Sequence, residues 1–186
     1  MIQVAEKWDR IYRENPAPFS IFPSDVVIRL NNMLPERSHV LDLGKRYAEE
    51  FKVNYQDEDP RLKLLKGNVA SYHIKGIEDD KKYDAVICIN VIDNLELWPE
   101  IDHESVYRVI ENMKVRTTPG GLIALSYMPA YESNKGWVRR EYKHGFLEDV
   151  FSGLKVLSRT QTTTDSHKSF KGRKIVSQIL LRNIEA

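Results

Sequence analysis

At residues 83–95 the chain reads YDAVICINVIDNL, and at residues 118–127 it reads TPGGLIALSY. Each stretch holds a short, β-branched apolar run of the kind that fills a strand buried on both faces. SVYRVIENMKVR, at 105–116, reads as a helix between them, so the three pieces predict strand, helix, strand. That alternation implies parallel strands with helices packed on the sheet.

Working outward, HVLDLG at 39–44 is a further short strand, and KLLKGN at 63–68 contains a weaker one. SDVVIRLNNML, 24–34, predicts a helix capped by Ser24, with Val26, Val27, Leu30 and Leu34 on its buried side and Pro35 ending it. An earlier helix fits VAEKWDRIYREN, through Val4, Trp8, Ile11 and Tyr12, and Pro16 and Pro18 stop it. Towards the end, LKVLSRTQTTT and KIVSQILLRN alternate and are β-branched around the polar SHKSFKGRK turn, which predicts an antiparallel pair at the sheet edge. The fold class expected is α/β: a mostly parallel central sheet with an antiparallel edge hairpin and helices on both faces. One domain is expected over 1–186, with helices in 1–37 and the sheet core in 38–186.

Composition narrows the function classes. With 41% hydrophobic and 30% charged residues, the 186-residue chain has the make-up of a globular domain rather than a disordered one. No apolar run reaches the roughly 20 residues that span a bilayer, and MIQVAEKWDR lacks the apolar stretch of a secretion signal, so a cytoplasmic protein is expected. The net charge of +1 gives no global attraction to nucleic acid. Basic residues do outnumber acidic ones 11 to 5 from Lys135 onward, which leaves a nucleic-acid or other anionic partner open without indicating one. The single Cys88 lies in an apolar strand and reads as a buried, inert thiol. The five histidines show no metal-ligand spacing, and no metal site is expected.

The succession WDRIY, HVLDLG, KGNV, YDAVICINVIDNL, TPGGLIALSY and a closing hairpin resembles the class I S-adenosylmethionine-dependent methyltransferases from Trp8 to Asn183. The amino-terminal WDRIYRENPAPFS resembles the small tellurite-resistance and thiopurine-methyltransferase type. That resemblance implies a methyltransferase fold, S-adenosylmethionine as cofactor and an unidentified methyl acceptor, with the helices of 1–37 covering the cofactor side. It also implies site positions, because ligands of open α/β sheets bind beyond the carboxyl ends of the strands. Asp42 and Gly44 after the first strand would meet the methionine part. Asp57, with Asp59 as the alternative, would take the ribose hydroxyls. Asn68 and Val69 would lie against adenine, and Asn90, Val91 and Ile92 would line the pocket after the fourth strand. Tyr127, Tyr131 and Trp137, following the fifth strand, would wall an acceptor site, and Asp93 and His144 are the candidates for a general base. In-line methyl transfer needs alignment and exclusion of water first, and a base only where the nucleophile must lose a proton.

Two features depart from the pattern. Gly44 is followed by Lys45, Arg46 and Tyr47 where the family commonly has further glycines, so side chains stand where backbone usually approaches the cofactor. KRYAEEF can instead begin a helix early and hold a carboxylate at its basic amino end. The second departure is length: Tyr83 follows Gly44 by only 39 positions, which must supply two helices and two strands. Two readings stay open, an active methyltransferase and a methyltransferase-like chain whose cofactor site has decayed into a binding or scaffolding module.

Overall fold

The computed structural model describes residues 24–43, 77–89, 91–92, 103–133, 136–139, 150–165 and 173–184. Among them are two helices, α1 (Asp25–Met33) and α2 (His103–Arg116), and six strands: β1 (Val40–Asp42), β2 (Tyr83–Cys88), β3 (Thr117–Ser133), β4 (Gly136–Arg139), β5 (Leu154–Asp165) and β6 (Arg173–Asn183). The strands form one sheet in the order β1-β2-β3-β6-β5, with β4 folded back on the end of β3. β1, β2 and β3 are parallel, whereas β6 runs antiparallel to both β3 and β5. The expected hairpin is therefore present, its second strand inserted into the sheet and its first placed outermost. No helix among the described residues is long and apolar enough to cross a membrane.

Alternation along the central strands separates two cores. Val86 and Cys88 of β2, Ile123, Leu125 and Tyr127 of β3, and Ile179 and Leu181 of β6 pack with Val106, Val109, Ile110 and Met113 of α2. These four helix positions recur at the spacing that lines one helix face. On the opposite face Ala85, Leu122, Ala124 and Leu180 meet Val26 and Leu30 of α1, with Val27 and Leu34 partly buried beside them. Removing such an aliphatic side chain from water stabilises the fold by about 1.5–3 kcal/mol.

Side chains from β6 satisfy both helix ends. Ser24 occupies the N-cap position of α1, but its hydroxyl makes no capping hydrogen bond. Because α1 starts against the sheet, the backbone N–H of Val26 instead donates to Oε1 of Gln178, at 3.1 Å. At the carboxyl end of α2, the Asn183 amide donates to the carbonyl of Thr117 at 3.0 Å, and the Thr117 hydroxyl donates to that of Met113 at 2.6 Å. Arg116, only 2% exposed, donates to the Glu78 carbonyl at 3.1 Å and lies 3.9 Å from the Asp79 carboxylate. Its charge also suits the negative end of the helix dipole.

The Thr-Pro-Gly-Gly segment turns the chain from α2 into β3. Gly120 has φ +77°, a left-handed conformation that costs a side chain about 1–2 kcal/mol. Gly121 is needed for space: a Cβ there would meet Thr117 Cγ2 at 2.7 Å, Thr118 Oγ1 at 2.8 Å and the Asp84 carbonyl oxygen at 2.9 Å. Further along, the β3–β6 register shifts between Tyr127 and Ala130, where Pro129 has no N–H to give the ladder. Chemical denaturation of Gly121→Ala is expected to show a loss of about 1–3 kcal/mol, since the Asp84 carbonyl cannot yield without moving β2. Wild-type stability in that variant would mean that the close approach does not hold the strands.

Candidate functional site

The parallel strands bring their carboxyl ends together at one rim of the sheet. Asp42, the last residue of β1, pairs with Ile87, and the Leu43 N–H donates to the Ile87 carbonyl at 2.7 Å. Cys88, the last residue of β2, stands level with Leu125 of β3, so Tyr127 lies just beyond the end of β2. Leu43, Val91, Ile92 and Tyr127 belong to one buried cluster, at 3%, 8%, 2% and 5% exposure. The result is an apolar floor under the rim. Asp42 is exposed at the end of β1, where alternation with Leu41 sets its side chain towards the α1 face, across the strand ends from this α2-side cluster. Such a floor suits the flat body of a heterocycle or a sulfonium methyl, and the carboxylate suits a hydroxyl or ammonium group.

Of the residues singled out from sequence, the structure thus gathers Asp42, Val91 and Tyr127 at one rim. Ile92 lies beside them. Tyr131 and Trp137 lie in strands rather than in a loop. Tyr131 pairs with Val138 and Lys174, and Trp137 pairs with Glu132, so β3 and β4 form a hairpin extending past the rim. A four-residue strand is too short for alternation to announce it, and Pro129 masks the continuity of β3. Gly44, Asp57, Asp59, Asn68, Val69, Asn90, Asp93 and His144 lie outside the described residues, as do Lys45, Arg46 and the helix expected around Trp8.

One residue at this rim was not singled out from sequence. Arg159 of β5 donates from Nη2 to the Tyr127 hydroxyl at 3.4 Å, across the intervening β6. The signal was available in the alternation of SRTQTTT, which places Arg159 and Gln161 on one side of the strand, but nothing in the sequence shows that β6 lies between β5 and β3.

No protein-family model and no curated protein matches the sequence. Solved structures do match it. The chain is similar to TehB from Haemophilus influenzae at 16% identity and a TM-score of 0.58, over 92% of this chain and 66% of that one. A putative S-adenosylmethionine dependent methyltransferase from Listeria monocytogenes matches at 10% identity and a TM-score of 0.56, over 86% of this chain and 98% of that one. A SAM-dependent methyltransferase from Thermotoga maritima, described as a possible histamine N-methyltransferase, matches at 13% identity and a TM-score of 0.54, covering 98% of this chain and 100% of the other. The chain spans about two thirds of TehB and nearly all of the other two. These likenesses establish the fold as that of the class I methyltransferases.

Cys88 is 0% exposed within the α2-side core, so a nucleophilic role would require the sheet to open. As the chain's only cysteine, it is expected to react with an aromatic disulfide reagent only when denaturant is added. Rapid stoichiometric reaction of the native protein would restore Cys88 as a candidate nucleophile.

Proposed function

We propose that the protein is an S-adenosylmethionine-dependent methyltransferase acting in the cytoplasm on an acceptor still to be identified. The observation that carries this reading is the rim itself: Asp42 ends β1 beside the apolar floor of Leu43, Val91, Ile92 and Tyr127, in a chain with the methyltransferase fold. When bound, S-adenosylmethionine supplies an electrophilic methyl group on a sulfonium. Asp42 would accept from its ammonium or hydroxyl groups, and Gly44 would let backbone approach. Asp57 would hold the ribose, Asn68 and Val69 the adenine, and Asn90 and Val91 the adenosine side nearest the methyl group. Tyr127, Tyr131 and Trp137 would wall the acceptor, leaving Asp93 or His144 to remove a proton where the nucleophile carries one. The chain's contribution to rate is then chiefly alignment and exclusion of water.

The basic pair Lys45 and Arg46 after Gly44 favours a second reading, in which the fold persists as a binding module without the donor. Calorimetric titration with S-adenosylmethionine and S-adenosylhomocysteine separates the two. Micromolar binding is expected. Asp42→Ala is expected to weaken it about tenfold or more, the worth of a charge-assisted hydrogen bond, without lowering the melting temperature appreciably. Absence of binding at millimolar ligand would decide for the second reading, while binding unaffected by Asp42→Ala would displace Asp42 from the site.

A further inference from the structure

Beyond Tyr127 the rim changes character. Tyr127 pairs with Ser177 of β6, which pairs in turn with Gln161 of β5, and Arg159 stands one alternation away opposite Ile179. Ile179 belongs to the α2-side core, so strand alternation puts Ser177, Arg159 and Gln161 on that same face, beside Tyr127. This is the only part of the face, among the described residues, where a cation and two hydroxyls adjoin the apolar floor.

Arg159 and Ser177 keep hydrogen-bonding capacity unused among the described residues. A guanidinium has five N–H donors in a planar fork suited to a carboxylate or phosphate. Arg159 gives one of them to the Tyr127 hydroxyl at 3.4 Å, longer than a well-formed bond, and among the described residues no carboxylate pairs with it. Ser177, 0% exposed, has a hydroxyl with no hydrogen-bond partner among the described residues. An unsatisfied buried hydroxyl is costly, and a ligand group or a water brought in with it would offset that cost.

We propose that Arg159, with the Tyr127 hydroxyl beside it and Ser177 as a further donor, anchors an oxyanion of the methyl acceptor. This rests on the methyltransferase reading and names the class of acceptor: a small molecule bearing a carboxylate or a phosphate. Position supports it. β3 lies one strand spacing from β2 and β5 lies three, so the guanidinium, reaching back to Tyr127, sits about 5–10 Å from the end of β2. That separation matches a compact acceptor whose nucleophile meets the donor over Val91 and Ile92 while its anion rests on Arg159.

The test follows the Arg159 Nε–H resonance by NMR while the full chain is titrated with benzoate, with inorganic phosphate and with neutral benzamide, each in the presence and absence of S-adenosylhomocysteine. Saturable movement with benzoate or phosphate is expected, and none with benzamide; whichever anion acts identifies the acceptor's group as carboxylate or phosphate. By line-broadening of the anion itself, Arg159→Met is expected to weaken binding about tenfold or more, with Tyr127→Phe weakening it less. Arg159→Met should leave S-adenosylhomocysteine affinity unchanged. The anchor is refuted if neither anion moves the resonance, if benzamide does so equally, or if Arg159→Met binds like wild type. Silence towards anions together with S-adenosylhomocysteine binding removes this anchor and leaves methyl transfer standing. Anion binding without any S-adenosylhomocysteine binding removes methyl transfer, and the acceptor role of Arg159 with it.

Discussion

Asp84 is the residue on which three strands converge. Its backbone N–H donates to the His39 carbonyl at 2.9 Å, and its carboxylate accepts the His39 N–H at 2.8 Å. Its own carbonyl oxygen lies so close to Gly121 that no side chain fits there. One residue near the start of β2 thereby positions the starts of β1 and β3. Because these strands are parallel, setting the register at their amino ends also decides which residues stand level at the other end. A slip of one residue would turn Val86 and Cys88 away from α2 and would exchange Tyr127 for Ser126 on the floor of the rim.

The other organising element is β6. Ile179, Leu180 and Leu181 are all buried, supplying both cores in turn. Gln178 and Asn183 extend from the same strand to the amino end of α1 and the carboxyl end of α2. A strand added late in the chain therefore completes helices formed from much earlier segments. Partners this distant in sequence, 152 residues apart for Val26 and Gln178, leave no local trace. That is why Ser24, with the right residue type in the right place, predicted a cap that the structure makes otherwise.

The central architecture was legible because it is written in periodicity. YDAVICINV and GLIALSY could only be buried strands, and the apolar spacing of SVYRVIENMKVR could only present one face to them. The closing hairpin was legible for the same reason, although its insertion with β6 inside was not, since strand order is a property of pairing and not of any one segment. The candidate site was legible in part. Asp42 and Val91 follow from the rule that ligands gather at carboxyl strand ends. Arg159 does not, because its relation to Tyr127 exists only once β6 has been placed between them. The Pro-Gly-Gly motif teaches the converse lesson. It contributed to the family resemblance, yet Gly120 and Gly121 lie at the amino end of β3, opposite the rim, where they shape a turn and a close contact.

The rim keeps its two charges well apart. Asp42 ends β1, at one side of the described sheet, and Arg159 lies in β5 at the other, four strand spacings or about 19 Å away. The guanidinium reaches back over β6 to Tyr127, which leaves about 10–15 Å between the two charged groups, and at that distance in water they attract by only about 0.3–0.4 kcal/mol, too little to draw them from separate tasks. The apolar surface of Leu43, Val91, Ile92 and Tyr127 lies between. A cationic donor held towards the acid and an anionic acceptor held towards the arginine would meet over that surface, where water is least able to compete for the reacting groups. Such an arrangement needs no catalytic side chain at the point of transfer, so the identity of the rate-supporting residues is a question of who holds the two ends.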